Sequence, residues 1–113
     1  MAQTKPTTQN ERIEKFLISY IKKQKAPIPA HQLLSIIDST EIRKLLKIEG
    51  EILEPYIRQW ISSIRRNSKC PILSNSRGYY YSSNKKDIQD QIYSLRLRAQ
   101  AIMDAADGLE KLL

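Results

Sequence analysis

The chain has 113 residues, 41% of them hydrophobic and 7% aromatic, which is enough for one domain with a modest core and too apolar for a disordered tail. The formal net charge of +7 favours a polyanionic partner, nucleic acid first and an anionic membrane surface second. The single cysteine, Cys70, excludes an internal disulfide. Because the N-terminus lacks the apolar stretch of a signal peptide and no apolar run reaches the roughly 18 residues of a membrane span, we expect a soluble, cytoplasmic protein with no membrane partner.

The first structured element in chain order is predicted to be a helix. We expect residues 1–7 to form a flexible lead-in, followed by Thr8 and Glu11 at the spacing of a capping box. Apolar residues then recur at helical spacing, at Ile13, Phe16, Leu17, Tyr20 and Ile21. Pro27 and Pro29 end this helix, and a very short strand is expected around residues 26–28.

Two short helices are predicted next, over residues 30–37 and 40–48. A second capping signal at residues 38–41 opens the later helix, and Gly50 breaks it. The side chains expected to face inward are Leu33, Leu34, Ile37, Ile42, Leu45, Leu46 and Ile48.

A strongly amphipathic helix is predicted over residues 54–67, with Pro55 in its first turn, where a missing N–H costs little. Its apolar face consists of Leu53, Ile57, Trp60, Ile61 and Ile64. Its opposite side carries Gln59, Ser62 and Arg66, flanked by Arg58, Ser63 and Arg65. One side is therefore expected in the core, and the other is a hydrogen-bonding, cationic surface.

The period then changes from helical to alternating, which predicts a β-hairpin with its turn at residues 75–78. From Asn84 onward the pattern is helical to the end of the chain. Apolar residues there alternate spacings of 4 and 3, as in a coiled-coil seam. This seam consists of Ile88, Ile92, Leu95, Ala99, Ile102, Ala106, Leu109 and Leu113.

The positive charge is concentrated in residues 55–86, which contain no Asp or Glu. Seven of the 19 basic residues lie there, so the remaining 12 balance the 12 acidic residues elsewhere. Because a solvated surface usually mixes both signs of charge, we infer a functional cause for this segregation. The basic residues of the segment are Arg58, Arg65, Arg66, Lys69, Arg77, Lys85 and Lys86.

The order of these elements resembles a winged helix-turn-helix. Residues 40–48 resemble the first helix of that motif and residues 49–53 its turn. Residues 54–67 (EPYIRQWISSIRRN) resemble the recognition helix, and residues 71–81 (PILSNSRGYYY) resemble the wing. The pattern IxxIRR followed by PIxSxxxGYY is similar to small winged-helix proteins of bacteriophages and mobile elements, which also tend to carry a C-terminal helix.

Two features depart from that family pattern. The helix at residues 30–37 is additional, and three acids lie near the recognition helix, at Glu49, Glu51 and Glu54. We expect a mainly α fold of the α+β class: a winged helix-turn-helix domain over residues 8–83 with a two-stranded wing, and a long C-terminal heptad helix over residues 84–113.

The resemblance implies sequence- or structure-dependent binding of double-stranded DNA, in a phage-type transcription regulator or a recombination or replication accessory factor. Arginine and glutamine side chains on such a helix have the donors that read guanine and adenine edges in the major groove. The candidate DNA-binding residues are Arg58, Gln59, Ser62, Ser63, Arg65, Arg66, Lys69, Asn75, Ser76 and Arg77.

The heptad seam favours a homodimer through the C-terminal helix, with packing on the chain's own domain as the alternative. A protein-interaction adaptor is the competing function, and RNA binding is a weaker third one. The sequence has no Gly-rich phosphate loop, nucleophile elbow or paired carboxylates on one face. His31 has no Cys or acid cluster at metal spacing, and Cys70 has no neighbouring base that would make it a nucleophile. We therefore expect no catalytic activity, no metal and no cofactor.

Overall fold

The computed structural model describes residues 7–113, which form five helices and one two-stranded antiparallel hairpin. The helices are α1 (Gln9–Lys23), α2 (Ala30–Ile37), α3 (Thr40–Leu46), α4 (Glu54–Arg66) and α5 (Lys85–Glu110). The strands β1 (Ile72–Asn75) and β2 (Gly78–Tyr81) lie between α4 and α5. The chain divides into two units, the first ending at Tyr81 and the second running from Ser82 to Leu113. Of the lead-in predicted over residues 1–7, only Thr7 lies within the described residues.

Helix α1 begins at the capping signal that its sequence predicts, and it ends at Lys23, four residues before Pro27. The Thr8 side chain accepts a hydrogen bond from the Glu11 backbone N–H at 3.1 Å, which satisfies one of the amides left free at a helix start. The apolar stripe turns Ile13, Leu17 and Ile21 into the core. This helix therefore forms one wall of the first unit.

Helix α3 is shorter than predicted and differs in what it buries. It ends at Leu46 because Lys47 adopts a left-handed conformation, with φ of 54°, so the helix does not reach residue 48. The prediction that Leu45 faces inward is wrong, since its side chain is 70% exposed. Ile42 and Leu46, one turn apart, are half-buried. Leu45 lies about 100° around the helix from Leu46, at the edge of this half-buried stripe, where its side chain meets solvent.

Helix α4 packs against α2 and α1, whereas α3 packs against α1 and α2. Residues 40–48 resemble the first helix of a helix-turn-helix, yet it is α2 that packs against α4. Leu33 and Ile37 of α2 are fully buried in the same cluster as Ile57 and Ile61 of α4. Helix α3 lies between these two packed helices in chain order.

The hairpin pairs Asn75 with Gly78, which leaves two residues in its turn. A third, single-residue strand position completes the small sheet, because Ile28 and Tyr79 exchange backbone hydrogen bonds of 2.8 Å in both directions. This bridge confirms the short extended segment predicted around residues 26–28. Gly78 has φ of 137°, and a Cβ there would overlap the Ile28 backbone carbonyl, so the bridge requires glycine at this position.

One hydrophobic cluster forms the core of the first unit, with contributions from α1, α2, α4, β1 and the connecting segments. Its members are Ile13, Leu17, Ile21, Ile28, Leu33, Ile37, Ile48, Ile52, Ile57, Trp60, Ile61, Ile64, Cys70 and Ile72. Leu53, predicted on the apolar face of α4, is instead 44% exposed, because it lies at the N-cap, outside the helical turns that determine the face.

The second unit consists of α5 and its flanking residues. Asn84 caps the helix, since its side chain accepts from the backbone N–H groups of Lys86 and Asp87. The helix has 26 residues, which corresponds to about 39 Å at 1.5 Å per residue. Leu113, the last residue of the predicted seam, lies beyond the helix end at Glu110.

Candidate nucleic-acid interface

The polar face of α4, which we define as Arg58, Gln59, Ser62 and Arg66, is exposed along its whole length. These positions follow one another at helical spacing on the side opposite the buried residues. The first and last arginines are eight positions apart, which places them about 12 Å apart along the helix axis. The face therefore presents two cations at its ends, with neutral hydrogen-bonding groups between them.

The apolar side of α4 fixes which way the polar face points. Ile57, Ile61 and Ile64 are fully buried, and the Trp60 indole N–H donates a 3.0 Å hydrogen bond to the Asn10 side-chain oxygen of α1. A rotation of α4 about its axis would break this bond and expose three isoleucines, so the orientation of the polar face is determined by the core.

The segment before α4 is held by side chains of α1. Arg12 donates to the backbone oxygens of Leu46 at 2.7 Å and Lys47 at 3.2 Å, the carbonyls that the end of α3 leaves free. Gln9 exchanges two hydrogen bonds with the backbone of Glu49. The turn leading into α4 is therefore fixed by residues up to 40 positions earlier in the sequence.

Arg43 completes this arrangement from within α3. It forms an ion pair with Asp38 at 2.7 Å and donates to the Gly50 backbone oxygen at 2.6 Å. Gln9, Arg12 and Arg43 were not identified from the sequence. No spacing in the sequence signals them, because their partners are mostly backbone groups whose positions depend on the tertiary fold.

Arg65 connects α4 to the hairpin. Its Nε donates to the Ile72 backbone oxygen at 2.8 Å and its Nη2 to the Ser74 hydroxyl at 3.2 Å, and the side chain is half-buried. This predicted site residue therefore lies against β1, where it sets the position of the hairpin relative to the helix. Ser63, another predicted site residue, is half-buried and accepts hydrogen bonds from the Asn67 side chain.

The hairpin turn presents the predicted residues Asn75, Ser76 and Arg77, all exposed. The Asn75 side chain accepts a 2.8 Å hydrogen bond from the Arg77 backbone N–H, the local bond by which Asn stabilises a turn. The amide of Asn75 is thus engaged in shaping the turn, while the guanidinium of Arg77 projects from its tip.

Lys69 lies near a buried carboxylate. Its Nζ is 3.9 Å from Glu14 Oε1, and that oxygen is buried without a hydrogen-bond partner among the described residues. Burying a charged group away from water is costly unless a countercharge is close. Lys69 therefore has a structural partner, in addition to its place in the basic segment.

Three arginines of the first unit remain without such partners. Among residues 7–113, the guanidinium groups of Arg58, Arg66 and Arg77 form no hydrogen bond or ion pair. No acid lies between residues 55 and 86 to neutralise them. The exposed acids that border this acid-free segment in sequence are Glu54, at the start of α4, and Asp87, in the first turn of α5. Within the first unit, the positive charge is therefore concentrated from Arg58 to the C-terminal end of α4 and at the turn.

The predicted dimerisation residues all lie on or directly after α5. Ile88 is half-buried and the others are exposed; within the helix, the exposed fraction is 68% for Ile102 and 67% for Leu109. A single helix cannot bury its own apolar stripe, so these side chains are available to another surface.

The described residues offer little that is typical of a catalytic or metal centre. Within residues 7–113, no three His, Cys, Asp or Glu side chains cluster as metal ligands would. Burial raises the pKa of the Cys70 thiol, an effect that the nearby positive charge of Lys22 partly offsets, and a raised pKa disfavours the reactive thiolate. In the same residues, no helix combines the length and apolar character needed to cross a bilayer.

Comparison of the chain with protein-family models, with curated proteins and with solved structures found no match.

Proposed function

We propose that this protein is a winged-helix DNA-binding protein that contacts duplex DNA through the polar face of α4 and the tip of the hairpin. The observation that carries the proposal is the division among the arginines of the first unit. Arg12, Arg43 and Arg65 are used in internal hydrogen bonds; the three without partners lie on the polar face of α4 and at the hairpin turn. Cations left unneutralised on a rigid surface favour a polyanion.

The topology supports the same proposal. In a winged helix-turn-helix, a recognition helix packs on a preceding helix and is followed by a hairpin. Here α2 is the preceding helix and α4 the recognition helix, with α3 inserted between them. The bridge between Ile28 and Tyr79 supplies the short third strand that holds the hairpin to the helical part.

The proposed binding mode follows from the dimensions of DNA. The major groove, about 12 Å wide, admits an α-helix. Arg58 and Arg66 donate to guanine edges or phosphates at either end of the polar face, and Gln59 pairs with adenine. Ser62, with its short side chain, lets the helix backbone approach the groove closely. Arg77 contacts a phosphate or enters the adjacent minor groove.

Two of the predicted site residues take supporting roles in this proposal. Arg65 orients the hairpin so that Arg77 and the polar face of α4 engage the same duplex, and Lys69 contributes to the electrostatic field while it neutralises Glu14. A phage-type regulator or a recombination or replication accessory factor is the class of protein that fits this binding mode and the sequence resemblance.

The proposal is tested by fluorescence anisotropy with a labelled duplex over a series of salt concentrations. The variant Arg58→Ala/Arg66→Ala/Arg77→Ala removes the three free arginines. Each lost phosphate contact reduces the slope of log affinity against log salt by about 0.9, so the triple variant should reduce the slope by about 2 to 3. Its thermal unfolding should change little, because exposed side chains without partners contribute at most about 0.5 kcal/mol.

The matched control is Lys15→Ala/Lys25→Ala/Lys44→Ala, which removes the same charge from exposed positions outside α4 and the hairpin. This control should change the salt slope by less than about 1. Tight binding that survives the first triple substitution would show that the site is elsewhere. If the wild-type protein binds no duplex, the adaptor function gains support, and the exposed apolar residues of α5 are then the first candidates for a protein contact.

A further inference from the structure

The apolar seam of α5 has a composition that distinguishes between possible partners. In heptad terms, the a positions are Ile92, Ala99, Ala106 and Leu113, and the d positions are Ile88, Leu95, Ile102 and Leu109. The two central a residues are therefore alanines, whereas every d residue is large. A helix that packs against this seam therefore needs large side chains opposite Ala99 and Ala106, because the alanines would otherwise leave voids at the contact.

A second copy of α5 fills that space only when the two helices are antiparallel. In a parallel pair, Ala99 and Ala106 would each face themselves, which leaves two of the central layers with little apolar area. In an antiparallel pair, a positions meet d positions, so each alanine faces a large side chain of the other copy. This steric complementarity favours the antiparallel arrangement.

The charges on α5 select one antiparallel register. Arg96 and Glu110, both at e positions, lie about 21 Å apart along the helix, and their side chains form no ion pair or hydrogen bond with any described residue. When Ile102 of one copy lies opposite Ala106 of the other, Arg96 and Glu110 of opposite copies come together on the flank of the seam. The two-fold symmetry produces this attraction twice.

The same register places small side chains on the opposite flank. Ala105, at a g position, then lies opposite Ala105 of the second copy, and both alanines at the a positions are covered by Ile102 and Leu109. Small residues at these points let two helices approach to the short end of the usual separation of about 8–10 Å.

We propose that α5 pairs with α5 of a second copy in this antiparallel register, centred on Ile102 and Ala106 and including Arg96–Glu110 ion pairs between copies. The paired segment extends from Arg96 to Glu110, where the helix ends, so Ile88 and Ile92 lie outside it and Leu95 faces Leu113 beyond that end. The pairing does not involve DNA, so it is measured independently of the proposed function.

The test is sedimentation equilibrium of the full chain without DNA, with charge-reversed variants. Arg96→Glu and Glu110→Arg each replace two attractions by two like-charge contacts, which should weaken the dimer by roughly tenfold. An equimolar mixture of the two variants should restore wild-type affinity. In the mixed dimer, the carboxylate introduced at position 96 faces the guanidinium introduced at position 110, and the unchanged Arg96 and Glu110 face each other.

The matched control is Arg98→Glu, since Arg98, at a g position, lies level with Leu112 of the second copy in this register, beyond the end of that helix, and faces no charged side chain there. Its reversal changes the net charge by the same amount as Arg96→Glu and should have little effect on the dimer. Far-UV circular dichroism of each variant establishes that the helix itself is retained.

Two results would overturn the proposal. A wild-type chain that stays monomeric at concentrations of several hundred micromolar would rule out the pairing. A dimer that neither single reversal weakens, or a mixture no tighter than the separate variants, would rule out this register, because in a parallel dimer Arg96 faces the neutral Gln91.

Discussion

Two sets of arginines in the first unit have the same chemistry and opposite surroundings. Arg12 and Arg65 are half-buried and donate to backbone carbonyls at the end of α3 and in β1. Arg58 and Arg66 are exposed on α4, without a partner among residues 7–113. Charge alone therefore does not identify a binding surface. The arginines that stabilise the fold are those whose guanidinium groups meet carbonyls left free by the chain.

The largest loss of stability that bears on this comparison is expected from a substitution at Gly78, next to Arg77 at the tip of the hairpin. Gly78→Ala would place a Cβ against the Ile28 carbonyl at a φ of 137°, so the bridge between Ile28 and Tyr79 must open. We expect a loss of about 3 kcal/mol in the free energy of unfolding, measured by chemical denaturation.

The matched control for Gly78→Ala is Gly108→Ala, where nothing lies within 4 Å of an added Cβ. It should be neutral or slightly stabilising, because alanine favours a helix interior more than glycine does. A Gly78→Ala variant as stable as the control would mean that the bridge does not hold the hairpin, and that Arg77 is not fixed by it.

The comparison is tested most simply by substituting one arginine from each set. Arg12→Ala removes the donors to Leu46 and Lys47 and leaves carbonyls unsatisfied, so we expect about 1–3 kcal/mol of destabilisation. Arg58→Ala should change stability by less than about 0.5 kcal/mol and should weaken duplex binding. Urea unfolding measures the stability of each variant, and fluorescence anisotropy measures the affinity of each for a DNA duplex. Equal loss of stability in the two variants would contradict the division between arginines that stabilise the fold and arginines that are free to bind a partner.

A smaller effect is expected at Lys69, which belongs to the basic segment and also neutralises a buried acid. Lys69→Met leaves Glu14 without its countercharge, and because the lysine side chain is 41% exposed, solvent screening reduces the expected loss to about 1 kcal/mol. The double variant Glu14→Gln/Lys69→Met should recover most of that loss in a double-mutant cycle. No recovery would show that the two charges are not coupled.

Local patterns predicted the elements well. Residues 30–37 were predicted as a helix with the bounds that α2 has, and the prediction over residues 54–67 exceeds α4 by a single residue. Both predictions rest on signals within the element itself: a proline before or at the first turn, and an apolar stripe at helical spacing. The hairpin was also predicted, because the period changes and Gly78 follows the turn.

The pairing of elements was less predictable. Residues 40–48 resemble the first helix of a helix-turn-helix, yet α2 packs against α4, because the sequence of a two-turn helix does not specify which neighbour it meets. The partners of Arg12 and Arg65 were missed for a related reason. Their acceptors include backbone carbonyls of Leu46 and Ile72, and every residue has such a carbonyl, so composition and spacing carry no signal for them.

The proposal that the polar face of α4 and the tip of the hairpin contact DNA is tested most directly by nuclear magnetic resonance. Isotope-labelled protein is titrated with a short duplex while the amide and arginine Nε–H resonances are followed. We predict that the largest shifts occur at Arg58, Gln59, Ser62, Arg66 and Arg77, and that the Nε–H of Arg12 is unchanged. Shifts confined to α5 or to α1, with the polar face of α4 unaffected, would contradict the proposal.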